Sequence, residues 1–231
     1  MIKKFASGET ILVDKPIGWT SFDVVNKIRW HLKRKLGVKK IKVGHAGTLD
    51  PLATGLLVIC VGANTKKIND YMIGDKRYVG KFLLGKTTSS FDLETDFNRE
   101  YPISHVNENL IESVRLSFIG EQYQEPPVFS AKKIKGKRAY DFARSGIDVE
   151  LKQNKIIVND FRIDISSLPV INFDIVCSKG TYIRRIAHDF GLRLNSGATL
   201  IELRRIQSGK KKVSESRSIQ SWIDFIDNSP L

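Results

Sequence analysis

Apolar residues recur at helical spacing in residues 20–37. Within that segment they occupy every third or fourth position, at Phe22, Val25, Ile28, Leu32 and Leu36. Such a stripe is typical of a helix that packs one face on a core. Thr20 and Asp23 have the spacing of a capping box, and glycine, here Gly37, is a common residue at a helix end. The segment therefore predicts an amphipathic helix that stops at Gly37.

Other segments have the periods of strands. Residues 55–62, "GLLVICVG", are continuously apolar, which suits a strand that is buried on both faces. Alternating patterns indicate further strands at 9–16, 76–85, 156–165, 170–180 and 199–209. Helical patterns lie at 107–120, 180–194 and 218–226. Because strands and helices interleave irregularly, we predict an α+β fold with a mixed, mainly antiparallel sheet flanked by helices.

Residues 121–146 lack a regular period. They combine a pair of prolines, a basic run and interleaved aromatic residues. A segment of this length without a pattern predicts a long excursion from the fold, which we interpret as an inserted arm at about 121–150. No internal repeat or Gly/Ser-rich linker divides the chain, so we expect one domain over residues 1–231.

The net charge of the chain indicates that its partner is a polyanion. Lysine and arginine number 38 against 25 aspartate and glutamate residues, a net charge of +13. Three acid-free clusters hold much of the excess, at residues 29–42, 132–138 and 204–212. One such cluster is typical of a solvated surface, but three together favour nucleic acid as the partner.

Several classes of protein are excluded or disfavoured. No apolar run has the length of a spanning helix, and the N-terminus lacks the apolar stretch of a signal peptide, so a cytosolic location is expected. Cys60 and Cys177 lie in apolar strand patterns, where each is expected to be a small buried hydrophobe. The chain has no phosphate-binding glycine loop, metal-ligand spacing or carboxylate cluster, so we expect neither cofactor nor metal.

Asp50 is the candidate for chemistry, and two interpretations of it stay open. In the first, Asp50 caps a helical turn that begins at Pro51. In the second, Pro51 fixes the direction of a functional carboxylate, and His45 lies in the same loop. A backbone that another molecule must approach closely needs small residues, and the loop has them at Gly44, Ala46 and Gly47.

Two other residues have ordinary structural explanations. Tyr78, in an alternating strand, would by default be a core tyrosine. Arg184 would be a surface cation in the first turn of its helix, and periodicity does not choose between Arg184 and Arg185.

Six motifs nevertheless resemble one family. Residues 44–57, "GHAGTLDPLATGLL", resemble the active-site motif of pseudouridine synthases of the TruB type, which modify uridine 55 in the T-loop of tRNA. The other five motifs are similar in the same order, at residues 13–21 (KPxGxTS), 76–85 (tyrosine motif), 124–150 (thumb segment), 177–191 and 200–205. Together they cover most of residues 12–206.

The resemblance implies roles for individual residues. Asp50 would be the nucleophile, Tyr78 would stack on the target base, and Arg184 would pair with Asp50. His45 would fill the space left by the flipped base, and Leu203 would pack in the pocket. The other substrate-binding positions in these motifs are Lys15, Gly44, Gly47 and Thr48.

The resemblance also implies how the RNA is held. A thumb would close on the T-stem-loop of tRNA, with a clamp at Lys132, Lys133, Lys135, Lys137 and Arg138. Residues 29–42 would add further contacts to phosphates, and both clusters should make binding depend on salt. The reaction needs no cofactor or metal, and the family expectation is a monomer.

The chain departs from the family pattern in two places. Residues 88–95, "TSSFDLET", retain Thr88 and Asp92 of the pattern Thr-Asp-Thr-x-Asp-x-x-Gly but differ at other positions. Longer members carry a C-terminal RNA-binding PUA domain, and the tail after residue 206 is too short for one. We therefore expect a catalytic domain that binds RNA through its own surface and thumb.

Two alternatives to the isomerase remain at this point. One is a basic RNA-binding or RNA-folding protein with a vestigial active site. The other is a different base-flipping enzyme, such as a glycosylase that uses Asp50.

Overall fold

The computed structural model describes residues 2, 4–129, 133–134, 137–138 and 151–230. It forms two compact units, the first from Met1–Tyr78 and Leu203–Leu231 and the second from Val79–Glu202. The expectation of a single catalytic domain stays a prediction. No helix in the described ranges has the length and apolar character needed to cross a membrane.

The helices and strands follow the predicted order along the chain. The helices are α1 (Lys4–Ser7), α2 (Ser21–Leu36), α3 (Ile68–Met72), α4 (Glu108–Leu116), α5 (Ile183–Arg193) and α6 (Ile219–Asn228). The strands are β1 (Glu9–Lys15), β2 (Val43–Ala46), β3 (Ala53–Val61), β4 (Lys76–Leu84), β5 (Lys86–Thr88), β6 (Phe97–Glu100), β7 (Gly120–Gln124), β8 (Lys133–Ile134), β9 (Lys137–Arg138), β10 (Asn154–Ser167), β11 (Val170–Cys177), β12 (Ala198–Ser208), β13 (Lys211–Lys212) and β14 (Arg217–Ser218).

The sheet of the first unit has the order β14-β1-β3-β12, with β2 also paired to β3 and β13 to β12. Strand β3 is antiparallel to β1, with Val13 opposite Leu57, and parallel to β12, with Leu203 opposite Ala53. The second unit has the order β12-β4-β11-β10-β7, and β10 is antiparallel to both β11 and β7. The prediction of a mixed, mainly antiparallel sheet flanked by helices is confirmed.

Strand β3 is the centre of the first core. Eight of its nine residues are buried, as expected for the continuously apolar run. Cys60 on β3 and Cys177 on β11 have no exposed surface, so both are the small buried residues that the sequence predicts.

The second core is built from phenylalanine rings. Phe82 on β4 stacks on Phe173 of β11, with 4.3 Å between ring centroids. Phe190 of α5 lies 5.8 Å from Phe82 and 5.9 Å from Phe161 of β10. The apolar stripe predicted for this helix therefore packs on the sheet, and ring pairs at these distances add to the energy of burial.

The ends of α2 are those that the sequence predicts. The Thr20 hydroxyl accepts a hydrogen bond from the Asp23 amide (3.0 Å), and the Asp23 carboxylate accepts one from the Thr20 amide (2.9 Å). The Thr20 hydroxyl also donates to the Asp23 carboxylate at 2.6 Å, and this bond and the one from the Thr20 amide lower the pKa of Asp23. Gly37 ends the helix in the left-handed conformation, at φ 65°.

The predicted apolar stripe of α2 is wrong at its first position. Phe22 is 60% exposed, whereas Val24, which the periodicity left out, is fully buried. The inward position one turn before Val25 belongs to Ser21, which is 2% exposed and hydrogen-bonds the backbone of Leu49. This polar contact fixes the rotation of the helix and turns Phe22 outwards.

The first residues of the predicted arm pair with the sheet, and the arm itself stays a prediction. Residues 121–124 belong to β7, where Tyr123 pairs with Lys155 and Gln122 with Ile156 of β10. Within the rest of the segment, β8 and β9 form a short antiparallel ladder, with Lys133 opposite Arg138. Lys132 and Lys135 lie outside the described residues.

Replacing Thr20 by Ala should lower the free energy of unfolding by about 1 kcal/mol, because the α2 cap loses its acceptor. Thr20→Ser, which keeps the hydroxyl, should remain within a few tenths of a kcal/mol of the original protein. Urea unfolding of both variants measures the difference. Equal losses would show that the cap hydroxyl does not stabilise α2.

Candidate active site

Asp50 lies in a tight turn between β2 and β3. The Ala53 amide donates to the Asp50 carbonyl at 3.1 Å, and β3 begins at Ala53 itself. The first of the two interpretations of Asp50, a cap on a helical turn, is therefore wrong. Ala53 is paired with Leu203 of β12, and this pairing in the sheet replaces the hydrogen bonds of a helix.

The backbone on both sides of Asp50 is fixed by the segment that leads into α2. The Ser21 hydroxyl donates to the Leu49 carbonyl at 3.0 Å and accepts from the Leu49 amide at 2.8 Å. The Gly18 amide donates to the Pro51 carbonyl at 2.9 Å. The carboxylate is thus carried by a turn with little freedom, which a preorganised reactive group requires.

Lys15 is a buried cation beneath the same turn. Its ammonium group has no exposed surface and donates to the carbonyls of Pro16 (2.9 Å), Trp19 (2.6 Å) and Pro51 (3.2 Å). Burial lowers the pKa of Lys15 to about 8, against the opposing attraction of Asp50. Lys15 therefore supports the Asp50 turn from inside the protein.

Arg205, on β12, is a residue of the site that the sequence analysis missed. It is 1% exposed, and its guanidinium donates to the carbonyls of Leu56 (2.8 Å), Gly47 (2.9 Å) and Thr48 (3.4 Å). These carbonyls flank Asp50 in the sequence. The only sequence signal for this role was the second arginine of the "LIELRR" motif.

The small residues of the loop make room for the protein's own atoms. A Cβ on Gly44 would lie 2.8 Å from Cδ1 of Ile68, and one on Gly47 would lie 3.4 Å from Nη1 of Arg205. Gly47 also has a φ of 92°, which favours glycine. Packing therefore accounts for both glycines, and their role in substrate binding stays a prediction.

The imidazole of His45 is neutral at pH 7 because its pKa is lowered. It lies on β2 opposite Ile59 of β3 and is half-buried. Burial lowers the pKa of His45, and the positive charge of Arg205 lowers it further. A neutral ring can lie beside a base without adding a charge to the site.

The chain leaves the first unit after Tyr78 and re-enters it at Leu203. Tyr78 on β4 is 9% exposed, and Leu203 on β12 is 8% exposed. Leu203 is held opposite Ala53, three residues after Asp50, whereas Thr48 on the other side of Asp50 is exposed. Lys15, through its bond to Pro51, and Leu203, through its pairing with Ala53, therefore lie beside the Asp50 turn.

Arg184 belongs to the second unit and is not a surface cation. It is 3% exposed in the first turn of α5, and its guanidinium donates to the carbonyls of Ser90 (3.1 Å) and Phe129 (2.8 Å). Its Nε atom lies 3.5 Å from the buried carboxylate of Asp92. The segment 88–92, where the chain departs from the family pattern, therefore wraps around this arginine.

Arg185 has the exposure that was expected of its neighbour. Its side chain is 23% exposed and pairs with Asp189 at 2.8 Å. The structure thus separates the two arginines that periodicity left equivalent. Within the described ranges, no group of His, Cys, Asp and Glu side chains could hold a metal ion.

Comparison of the sequence with models of known protein families identifies the family of the chain that contains the Asp50 turn. The model of the TruB family pseudouridylate synthases (N-terminal domain) matches residues 33–183, which include the Asp50 turn and Tyr78 and end one residue before Arg184. The chain belongs to the TruB family.

Full-length relatives agree with the TruB assignment. The chain is 50% identical over 227 residues to the tRNA pseudouridine synthase B of Phocaeicola vulgatus, covering 98% of this chain and 97% of the relative. It is 47% identical over 218 residues to that of Flavobacterium johnsoniae, covering 94% and 95%. The TruB resemblance of the sequence motifs is confirmed.

Solved structures agree with the fold. A chain in the crystal structure of a Cbf5-Nop10-Gar1 complex superposes with a TM-score of 0.72 at 28% identity. The match covers 97% of this TruB-family chain and 56% of the solved one, so the solved chain is considerably longer.

Arg205→Lys should lower kcat for pseudouridine formation by about tenfold or more, with KM for RNA changed by less than about twofold. The lysine keeps the charge, but its single ammonium nitrogen cannot span the carbonyls of Gly47, Thr48 and Leu56, which three separate guanidinium nitrogens bond. The Asp50 turn should therefore shift, and small shifts of positioned groups in an active site are costly to the rate. Steady-state kinetics of both proteins gives kcat and KM separately.

The matched control for this variant is Arg204→Lys. Arg204 pairs with Asp14 at 2.7 Å, and its guanidinium bonds go to Asp14 and Thr54 instead of the backbone of residues 47–48. Its kcat should stay within about twofold of the original. An equal loss of kcat in both variants would contradict a positioning role for Arg205.

Lys15 should make stability increase with pH between about 8 and 10.5. The unfolded chain keeps the proton up to its ordinary pKa of 10.5, whereas the folded protein loses it above about pH 8. Over this window the unfolded state binds more protons, so Lys15 adds at most about 1.4 kcal/mol of stability per pH unit.

Urea unfolding of the original protein and of Lys15→Met, at pH 7.5 to 10, isolates this effect. The lost hydrogen bonds give a constant offset, and the difference between the two proteins should grow with pH in favour of the original. A difference that does not change with pH would show that burial does not lower the pKa of Lys15.

Proposed function

We propose that this protein converts uridine to pseudouridine at position 55 in the T-loop of tRNA. The observation that carries the proposal is the Asp50 turn of a TruB-family chain, fixed by Ser21, Lys15 and Arg205. A fixed carboxylate suits an isomerisation, which needs a nucleophile but no oxidant and no energy source. The names of the curated relatives support tRNA as the substrate.

In the proposed mechanism, the target nucleotide leaves the stack of its loop and enters the site. Asp50 attacks the nucleotide, either at C6 of the base or at C1′ of the ribose, and the N1–C1′ bond breaks. The base then rotates and C5 bonds to C1′. The bond from Asp50 breaks, which restores the free carboxylate, the proton on C5 is lost and N1 gains a proton. Flipping an unpaired loop base costs a few kcal/mol.

The other residues have proposed roles around this step. Tyr78 stacks on the target base, which offsets part of the cost of flipping by about 1–3 kcal/mol. Arg184 pairs with Asp50 and keeps it ionised and oriented. His45 fills the space that the flipped base leaves, and Leu203 packs in the pocket.

The remaining proposals concern the partner. The T-stem-loop is held by phosphate contacts from residues 29–42 and from the thumb cluster, Lys132, Lys133, Lys135, Lys137 and Arg138. Such contacts release counterions and make binding weaken as salt rises. We further propose a cytoplasmic monomer that uses no metal or cofactor.

Asp50→Ala should abolish product, a loss of at least about a thousandfold, because the reaction loses its nucleophile. The protein is incubated with unmodified tRNA transcript, and pseudouridine is mapped chemically at single-nucleotide resolution. Asp224→Ala, at an exposed carboxylate of α6, is the control and should keep full activity.

Each other outcome has its own meaning. Product from the original protein at another position would contradict position 55, and no product at all would favour a non-catalytic RNA-binding protein. Equal product from Asp50→Ala would remove Asp50 from the mechanism. Release of free uracil would identify a glycosylase.

A further inference from the structure

Helix α2 carries two large aromatic side chains on its solvent side. Phe22 is 60% exposed and Trp30 is 54% exposed. They are eight residues apart, so they lie on the same side of the helix, about 12 Å apart along its axis. The opposite side, with Val24 and Ile28, is fully buried. Packing of α2 on the sheet therefore does not explain either ring.

Each ring lies under an arginine. The guanidinium carbon of Arg29 is 5.9 Å from the centroid of Phe22, and that of Arg34 is 4.9 Å from the centroid of Trp30. Guanidinium planes and aromatic rings are the groups on which unpaired RNA bases stack. The pairs form a row of flat surfaces along the helix.

The charge around this row has one sign. Residues 24–42 contain eight lysines and arginines and no aspartate or glutamate. At the far end of the segment, Lys40 and Lys42 join Lys66 in lining an open cavity of about 270 Å³. A polyanion fits this surface, whereas a second copy of this basic chain would be repelled by it.

The row begins at the Asp50 turn. Ser21, the residue before Phe22, is the one that bonds the backbone of Leu49. Further along, Nη2 of Arg29 donates to the carbonyl of Val43 at 2.9 Å, which ties the helix to β2. An RNA that places one nucleotide at Asp50 would therefore have neighbouring nucleotides close to Phe22.

We propose that the solvent side of α2 binds an unpaired part of the same RNA, with bases stacked on Phe22 and Trp30. Lys33 and Arg34 contact the phosphates beside those bases, and the cavity of Lys40, Lys42 and Lys66 holds a phosphate further along. This inference rests on the proposed function for the identity of the RNA. It adds base stacking to a segment whose expected role was phosphate contact alone.

The test measures the affinity of unmodified tRNA transcript for the full-length protein by filter binding, over a series of salt concentrations. Trp30→Ala and Phe22→Ala should each raise Kd about fivefold or more, the loss expected for one stacked base. Trp30→Phe, which keeps a ring, should stay within about threefold. Arg34→Gln should reduce the salt slope by about one.

Leu116→Ala is the matched control, because Leu116 is also 54% exposed on a helix, α4, outside this surface. Its Kd and salt slope should not change. In kinetics, Trp30→Ala should raise KM for tRNA while kcat at saturating tRNA stays within about twofold, since Asp50 and its supports are untouched.

Two outcomes would overturn the inference. The first is equal Kd for Trp30→Ala and the original protein. The second is a changed sedimentation coefficient in Trp30→Ala with unchanged RNA affinity, which would assign the surface to a protein partner. Binding is measured without turnover, so a protein that binds tRNA through Trp30 but forms no pseudouridine would contradict only the proposed function.

Discussion

The shape of the Asp50 turn depends on the buried guanidinium of Arg205. Burying a charge destabilises a protein unless its hydrogen bonds are satisfied, and here they go to the carbonyls of Gly47, Thr48 and Leu56. These carbonyls lie on both sides of Asp50. One side chain from β12 therefore joins the loop before the carboxylate to the strand after it, which gives an irregular segment the fixed geometry of an element.

The second unit uses the same device. Arg184 is buried and donates to the carbonyls of Ser90 and Phe129, with Asp92 beside it. In both units an arginine stabilises a loop by bonding its backbone, where helices and strands would satisfy their own carbonyls. Charge-assisted bonds of this kind are strong and directional, so the loops gain stability and precision together.

Helix α2 has two roles, one for its buried side and one for its exposed side. Its inner side, through Ser21, holds the Asp50 turn, and its outer side carries the exposed rings and most of the local positive charge. The inner role explains why the helix has its observed rotation. That rotation in turn places Phe22 and Trp30 in solvent. One cause therefore explains both the geometry of the Asp50 turn and the exposure of the two rings.

The sequence by itself determined the main elements and the family to which the chain belongs. Periods of two and 3.6, the cap at Thr20 and the apolar run of β3 depend on neighbouring residues, and the motif around Asp50 is local too. Only the tertiary structure decided that β3 begins at Ala53, that Arg205 supports the turn and which side of α2 is buried. Each of these depends on pairing with residues far away in the chain, such as Leu203 opposite Ala53, whose hydrogen bonds no local pattern records.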